Sequence, residues 1–485
     1  MAKASICGAA RIGCKIGARI VLSSFAATLA CSPTPAQAAL GPGAQRPAAW
    51  QGSGSDRSRI ESRIEQFVAP YADTNNFSGV ILVERAGGPL FARAYGLADA
   101  RARIPNRLPT RFHVASMSMQ YTAAAALRLV MARRLSLDTR VARYVPDFPN
   151  ARLMTIRDLL TQKSGIADIN GLDDYDAILR THQTPTSLVA RVRGLPPARP
   201  PGTYDKEEHS AYNLLALIIE KETRRPFAQA IRTLVFEPLG MKNSGIDDDR
   251  PTARSNSAIG HAPSGVRGIV RAERIHWSAK AGNASAYTTV EDQRRFVEAM
   301  TGSRFLSPEL RRTVFDLREL VGYGWFKAES KRFGQPAYSM NGRAPGFSSA
   351  MIYLPRERLL VVALSNIYAS FTPDIAAAAA AIVLGLPVEP LALKPLTEPA
   401  SFAGLPASFR FGADFYQPNA TVKLAPAGSE IFLEWPTGDR SPLIPTSRDH
   451  YVDRAYGVAV EVVRDTNAAP TALKYDRFVG QSVRD

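Results

Sequence analysis

Ser116 is the residue in this chain best placed to do covalent chemistry. It lies in the run Phe112-His113-Val114-Ala115-Ser116-Met117-Ser118-Met119-Gln120-Tyr121-Thr122-Ala123-Ala124, whose small and apolar residues suit a helix. A serine hydroxyl attacks a carbonyl well only when a neighbouring base takes its proton. One helical turn on stands Met119, which has no basic nitrogen. Glu207, Glu208 and His209 gather two carboxylates and an imidazole elsewhere in the chain. A serine, an imidazole and a carboxylate work by geometry rather than by chain order, so Glu207 or His209 is a candidate proton acceptor for Ser116. The alternative is a solvated charge run, Asp205-Lys206-Glu207-Glu208-His209. A metal site on Glu207, Glu208 and His209 lacks further His or Asp at ligand spacing. Farther on, Met340-Asn341-Gly342-Arg343 sets a guanidinium beside a glycine, which either grips a carboxylate bidentately or blocks a cleft.

These residues need elements to hold them. Ile60, Ile64, Phe67 and Val68 recur at helical spacing over Arg59 to Ala72. Phe77 to Glu84 is apolar and β-branched, and Gly87-Gly88-Pro89 turns it into Leu90 to Tyr95, predicting a hairpin. The middle reads as helical at Ile156–Leu160, Leu188–Val192, Tyr212–Thr223 and Phe227–Val235. Late strands are expected at Gly322–Phe326, Ser348–Leu354 and Leu359–Ser365, with a closing helix at Ala376–Leu384. Strands at both ends and helices between predict an α/β domain whose sheet draws on both ends of the chain. After a Pro- and Leu-rich boundary, Ala420–Leu424, Ile431–Trp435, Val458–Val463 and Ala472–Tyr475 predict a small β-rich domain.

Residues 1–38 read as an export signal. Lys3, Arg11, Lys15 and Arg19 precede an apolar run through Ala30, and Ala36-Gln37-Ala38 supplies a small-x-small cleavage pattern. Thr28-Leu29-Ala30-Cys31 departs by one place from the lipoprotein spacing, which argues against anchoring at Cys31. All three cysteines (Cys7, Cys14, Cys31) lie in this leader, so the processed chain would carry no disulfide and no thiolate metal site. The expected location is periplasmic or secreted. No segment reaches the length of a spanning helix. The formal charge of +16 comes mostly from scattered arginines without a basic cluster interleaved with aromatics. Nucleic acid is therefore not the expected partner; anionic cell-envelope polymers suit that charge better. The domain reading is 1–38 leader, 39–58 linker, 59–388 main domain, 389–405 linker and 406–485 β-rich domain.

Several ordered segments then resemble one family. Leu135-Ser136-Leu137-Asp138, Ile156 through Ile166, Pro201-Gly202-Thr203, Tyr212-Asn213-Leu214-Leu215 and Phe236-Glu237-Pro238-Leu239-Gly240-Met241 follow the Ser116 segment. Ala286-Tyr287-Thr288-Thr289, Tyr323-Gly324-Trp325 and Pro345-Gly346-Phe347-Ser348-Ser349 continue the order. Together they resemble the serine β-lactamase and penicillin-binding-protein family, in its class C β-lactamase, D-aminopeptidase and esterase branch. The resemblance implies an antiparallel sheet flanked by helices, a helical subdomain, and a small β-rich C-terminal domain. It implies no cofactor. It also implies a nucleophile helix reading S-x-x-K, a second motif Tyr-x-Asn, and a third motif of Lys or His, then x-Gly. Here those positions hold Ser116 with Met119, Glu207 with His209, and Met340-Asn341-Gly342 with Arg343 after it; Gln162 stands where relatives usually have His. Only the serine remains of the standard proton relay. The expected function is a protein of this fold that has lost the Ser–Lys–Tyr mechanism. It would bind a peptide-like amide or ester ligand, or a partner, against Met119, Met340, Asn341, Gly342 and Arg343. The alternatives are a non-standard esterase, amidase or peptidase using Ser116 with Glu207 or His209, and a structural envelope protein.

Overall fold

The computed structural model describes residues 54–204, 208–248, 256–389, 404–436, 438 and 440–483. The expected leader, most of the expected linkers, and Glu207 lie outside the described residues. The chain divides into two compact units: one extends to Pro395 and also takes Arg454–Gly457, the other holds Leu396–Asp453 and Val458–Asp485.

The larger unit is built on a seven-stranded antiparallel sheet. Its strands are β1 (Gly79–Arg85), β2 (Gly88–Tyr95), β3 (Val321–Gly322), β4 (Trp325–Ser330), β5 (Gln335–Ala344), β6 (Phe347–Leu354) and β7 (Leu359–Ser365). Their spatial order is β3-β4-β5-β6-β7-β1-β2. The first hairpin thus joins the late strands through β1 against β7, with Gly79 opposite Ser365. Ala86 and Gly87 both take positive φ in that hairpin's turn (53° and 84°), the conformation a tight two-residue turn demands. Every residue of β7 is buried, so both faces of the sheet are covered.

The helices that matter for the site are α1 (Gly54–Asp73), α2 (Ser118–Met131), α3 (His209–Thr223), α4 (Val290–Thr301) and α5 (Thr372–Val383). Strand register assigns their faces. Adjacent residues of a strand point to opposite faces. Ser348 Oγ bonds Ser370 O at 3.1 Å and lies 2.6 Å from Thr372 Oγ1 at the start of α5. Ser349 Oγ instead donates to Val114 O at 2.7 Å, beside the Ser116 turn. Thus α5 covers one face and the Ser116 turn lies on the other. Met351, two residues beyond Ser349, meets Gln120 of α2 and Gln293 of α4 on that same face.

The smaller unit is a closed eight-stranded barrel, β8 (Ala407–Arg410), β9 (Thr421–Ala427), β10 (Glu430–Glu434), β11 (Arg440–Ser447), β12 (His450–Asp453), β13 (Val458–Arg464), β14 (Pro470–Tyr475) and β15 (Phe478–Val483). Each strand pairs with the next, and β8 closes on β15. Phe409, Val422, Leu424, Leu433 and Leu443 are fully buried. Around Phe415, the rings of Phe411, Trp435, Tyr475 and Phe478 stack or meet edge-on. Side chains can fill a barrel of this size. The β-rich expectation is met; closure into a barrel was not read from the sequence. Among the described residues no helix is long and apolar enough to cross a membrane.

Candidate functional site

Ser116 occupies a short 3-10 turn, Ala115–Met117, that feeds directly into α2. Ala115 has φ +49°, a left-handed conformation costing an L-residue on the order of 1–2 kcal/mol. Neighbours hold that turn in place. Val114 N donates to Ala286 O at 3.0 Å, and Ala286 N donates to Ser118 Oγ at 2.9 Å. His113 stacks flat on Trp277, ring centroids 3.7 Å apart, while its Nε2 lies 2.9 Å from Asp247 Oδ2. Ser116 itself is partly exposed.

β5 runs against this turn. A Cβ on Gly342 would fall 2.5 Å from Ser116 N and 2.6 Å from Val114 O. Only glycine lets the two backbones approach so closely. β4 pairs with β5 through Ser339, whereas β6 accompanies β5 as far as Ala344. Residues 340–344 of β5 therefore continue past the end of that pairing with β4, next to Ser116.

Met119 lies one turn below Ser116, 2% exposed. Its Sδ is 3.6 Å from Gln162 Nε2, and Gln162 Oε1 is buried without a partner among the described residues. Gly324 presses on the same turn, since a Cβ there would meet Gln120 N at 2.6 Å. Met340 stands opposite Met351 in β5 and β6, also buried, and alternation puts it on the Ser116 face. Two thioethers thus line the Ser116 face.

Asn341 and Arg343 alternate to the other face. There Arg343 Nη1 donates to Ala455 O at 2.7 Å and the guanidinium sits 6.0 Å from the Tyr368 ring. Burial raises the Asp374 carboxyl, and Arg343 nearby opposes the rise. The arginine's side chain is thus on the α5 face, and its backbone alone borders the Ser116 turn.

Glu208 and His209 do not form a solvated run. Glu208 is 1% exposed. Its carboxylate accepts from Ser164 N at 3.0 Å, Ser164 Oγ at 2.9 Å and Gly165 N at 2.7 Å. Burial raises its pKa, and those three bonds pull the other way. His209 begins α3 with Nδ1 3.0 Å from Asp168 Oδ2 and 2.9 Å from Asn170 Nδ2. Glu208 and His209 therefore address different neighbours rather than one common ligand point.

Sequence reasoning missed Asp168, which faces His209, and Tyr175 and Lys280, which both feel the Asp168 charge. Lys280 Nζ donates to Tyr175 OH and lies 4.8 Å from the ring centre. Burial brings the Lys280 ammonium from 10.5 down to about 8, against the pull of Asp168 and Asp176. The Tyr175 hydroxyl is pushed well up by burial and by the same two carboxylates. No motif links these residues; more than a hundred positions separate Tyr175 from Lys280, and only folding joins them.

A family model described as Beta-lactamase matches residues 62–385. A penicillin-binding protein of Bacillus subtilis (strain 168) is 25% identical over 430 residues, covering 83% of this chain and 94% of that protein. A D-aminopeptidase of Brucella anthropi is 28% identical over 250 residues, covering 50% of this chain and 46% of that protein. The chain thus spans about half the length of that relative. The solved structure of an octameric penicillin-binding protein homologue from Pyrococcus abyssi matches 86% of this chain and 99% of its own, with TM-score 0.61 at 19% identity; such a likeness concerns the fold alone.

Proposed function

We propose, because this chain belongs to the beta-lactamase family, that its cleft holds a peptide-like amide or ester carbonyl beside Ser116 without the Ser–Lys–Tyr proton relay. The observation that carries this reading is Met119. A buried thioether facing an amide nitrogen fills the site one turn from Ser116, and a thioether takes no proton at neutral pH. Met340 removes a second cation position from the same face. The backbone N–H groups of Ser116 and Arg343 need no particular side chain, and the close approach of Gly342 to Ser116 N puts both strands of backbone at one place. Oxyanion-type donors of this kind bind a carbonyl whether or not a nucleophile attacks it. The length of β5 past Ser339 suits an extended, peptide-like ligand, in keeping with the aminopeptidase among the relatives. Residues 1–38 would send the protein to the periplasm or beyond, where the net charge of +12 that remains without the four leader cations favours anionic envelope polymers as surface partners.

A second reading is favoured by the His209–Asp168 pair. In it Ser116 reacts, with His209 as proton acceptor. Losing a general base costs roughly 10² to 10⁴-fold in rate, so the two readings predict very different rates of acylation. The deciding experiment is intact mass spectrometry after incubation with a fluorophosphonate and with a penicillin, alongside Ser116→Ala. No adduct over hours supports the first reading. A rapid adduct that Ser116→Ala abolishes overturns it in favour of the second.

A further inference from the structure

Two stretches of chain, 126–136 and 302–314, carry Arg128, Arg133, Arg134, Arg304, Arg311 and Arg312 against a single carboxylate, Glu309. The first is the C-terminal part of α2 and the turn after it; the second follows α4 and includes the helix Pro308–Val314. The fold brings them together. Arg128 Nη1 donates to Phe305 O at 3.0 Å, and its guanidinium lies 5.2 Å from the Phe305 ring centre. Arg134 N donates to Leu129 O at 3.0 Å, which curls the chain after α2 back onto its last turn, beside Arg128. Arg311 Nη1 donates to Gly302 O at 2.5 Å, which ties the helix Pro308–Val314 to the start of the same stretch.

Cations are favoured at the C-terminal end of a helix, where the last carbonyls are unpaired. That accounts for Arg128, Arg311 and Arg312 one at a time. It does not account for two basic stretches meeting with no second acid in either. Arg133, Arg134, Arg304 and Arg312 are exposed, and their guanidinium groups have no hydrogen bond or ion pair among the described residues. Carboxylates neighbouring in the chain are engaged elsewhere. Glu291 holds Arg294 and Arg295, Glu298 holds Arg294, Asp138 holds Arg157, and Asp316 holds Arg318. Like charges gathered this way repel one another in the folded protein, and a bound polyanion relieves that repulsion.

We propose that this surface binds a polymer carrying phosphate groups along its chain, with Arg133, Arg134, Arg304 and Arg312 as the phosphate contacts. It gives the polymer partner proposed above a place on the protein, and rests on that reading. The cations here are all arginines, whose planar forks grip phosphate oxygens in pairs. Arg128 and Arg311 instead bond carbonyl oxygens and fix the backbone that carries the other four. A flexible chain suits the surface better than a membrane or a nucleic acid does. Met131, 38% exposed, is the one large apolar side chain that either stretch exposes, too little to enter a bilayer. Phe305, the one aromatic residue in either stretch, is buried, so bases have nothing to stack on.

The test is titration calorimetry of the full chain with long-chain polyphosphate, from about 50 to about 200 mM salt. Each contact with a single-stranded polyanion contributes roughly 0.7 to the fall of log K with log salt. The quadruple variant Arg133→Asn, Arg134→Gln, Arg304→Gln, Arg312→Gln should therefore flatten that slope by about 3 and weaken binding at the lowest salt by roughly tenfold or more. Asn is chosen at Arg133 because φ is +54° there, a conformation Asn tolerates. The control Arg101→Gln, Arg107→Gln, Arg193→Gln, Arg448→Gln removes the same charge at other exposed positions and should keep most of the slope. The double variant Arg304→Gln, Arg312→Gln should give about half the change, and it decides the matter if the quadruple variant loses its helical circular-dichroism signal. A folded quadruple variant with the wild-type slope overturns the site and leaves the polymer reading standing. An equal loss in the control reduces the binding to net charge and overturns the site too. If wild type does not bind polyphosphate, the polymer reading fails and the site with it. Tighter binding at equal charge to polyglutamate, phosphatidylglycerol vesicles or single-stranded DNA overturns the choice of partner.

Discussion

Replacing Met119 by lysine puts back the ammonium that the helix lacks, and the fold itself supplies the expected cost. Lys327 is a natural reference. It is 2% exposed, and its Nζ has one hydrogen bond, to Val314 O at 3.1 Å, at the end of the helix Pro308–Val314. Burial takes it from 10.5 to about 8, although Glu319 and Asp316 oppose the fall. Met119 is as deeply buried. Its polar neighbour Gln162 could offer a single acceptor, the partnerless Oε1, after turning its amide. A lysine there should titrate near the Lys327 value, which corresponds to roughly 3 kcal/mol of lost stability at neutral pH. The sign follows from proton binding. Between about 8 and 10.5 the unfolded chain holds the lysine proton and the folded one does not, so stability rises with pH across that window. The deficit of Met119→Lys should therefore shrink by about 2 kcal/mol on going from pH 7 to about 9.5. Urea unfolding followed by the helical circular-dichroism signal reads the larger unit, because the barrel contains no helix among its described residues. A deficit that does not change with pH, or no deficit, would refute the reasoning from burial. Labelling of Ser116 should remain far below that of an intact relay. Full recovery from this single change would show that the second and third motifs have been misplaced.

Gly342→Ala drives a methyl into Ser116 N and Val114 O; overpacking of this kind should cost about 1–3 kcal/mol and displace the nucleophile turn, read as a lower unfolding midpoint and weaker ligand binding. Ser118→Ala strips the acceptor from the buried Ala286 N–H and should cost about 1–3 kcal/mol by the same measurement. Thr155→Ala breaks the capping box at Ile156–Leu160, for about 1 kcal/mol. Glu208 has a raised pKa in the fold, so the folded state binds its proton more tightly than the unfolded one. Its contribution is fullest below the ordinary carboxylate value and declines as pH rises through the folded value; Glu208→Gln should flatten that part of the stability–pH curve, and a curve of unchanged slope would count against the burial account.

Helices and the first hairpin were legible because their signals are local. The spacing of Ile60, Ile64, Phe67 and Val68 needs no distant partner, and the turn expected at Gly87-Gly88-Pro89 falls one residue earlier, at Ala86-Gly87. β5 was not read as a strand. Its run Tyr338-Ser339-Met340-Asn341-Gly342-Arg343 has no β-branched residue, and its pairing with β6 decides its form. In the barrel, β11 was hidden by Pro442 and Pro445, residues that argue against strands in sequence. Of the site, Ser116 and the two methionines could be placed in order along the chain. The alternative of a solvated loop at Glu208 and His209 was reasonable for a charge run, and packing against Ser164, Gly165 and Asp168 overrides it.

The sequence by itself determined the family, the order of its elements and the absence of a basic group one turn from Ser116, since residue identity and helical spacing are local properties. Tertiary structure alone decided that Arg343 faces α5 rather than Ser116, because strand register sets the face. It alone joined His209 to Asp168 and Lys280 to Tyr175, pairs that lie 41 and 105 residues apart. Burial and charge act through distance in space, and distance in space is fixed only when the whole core closes.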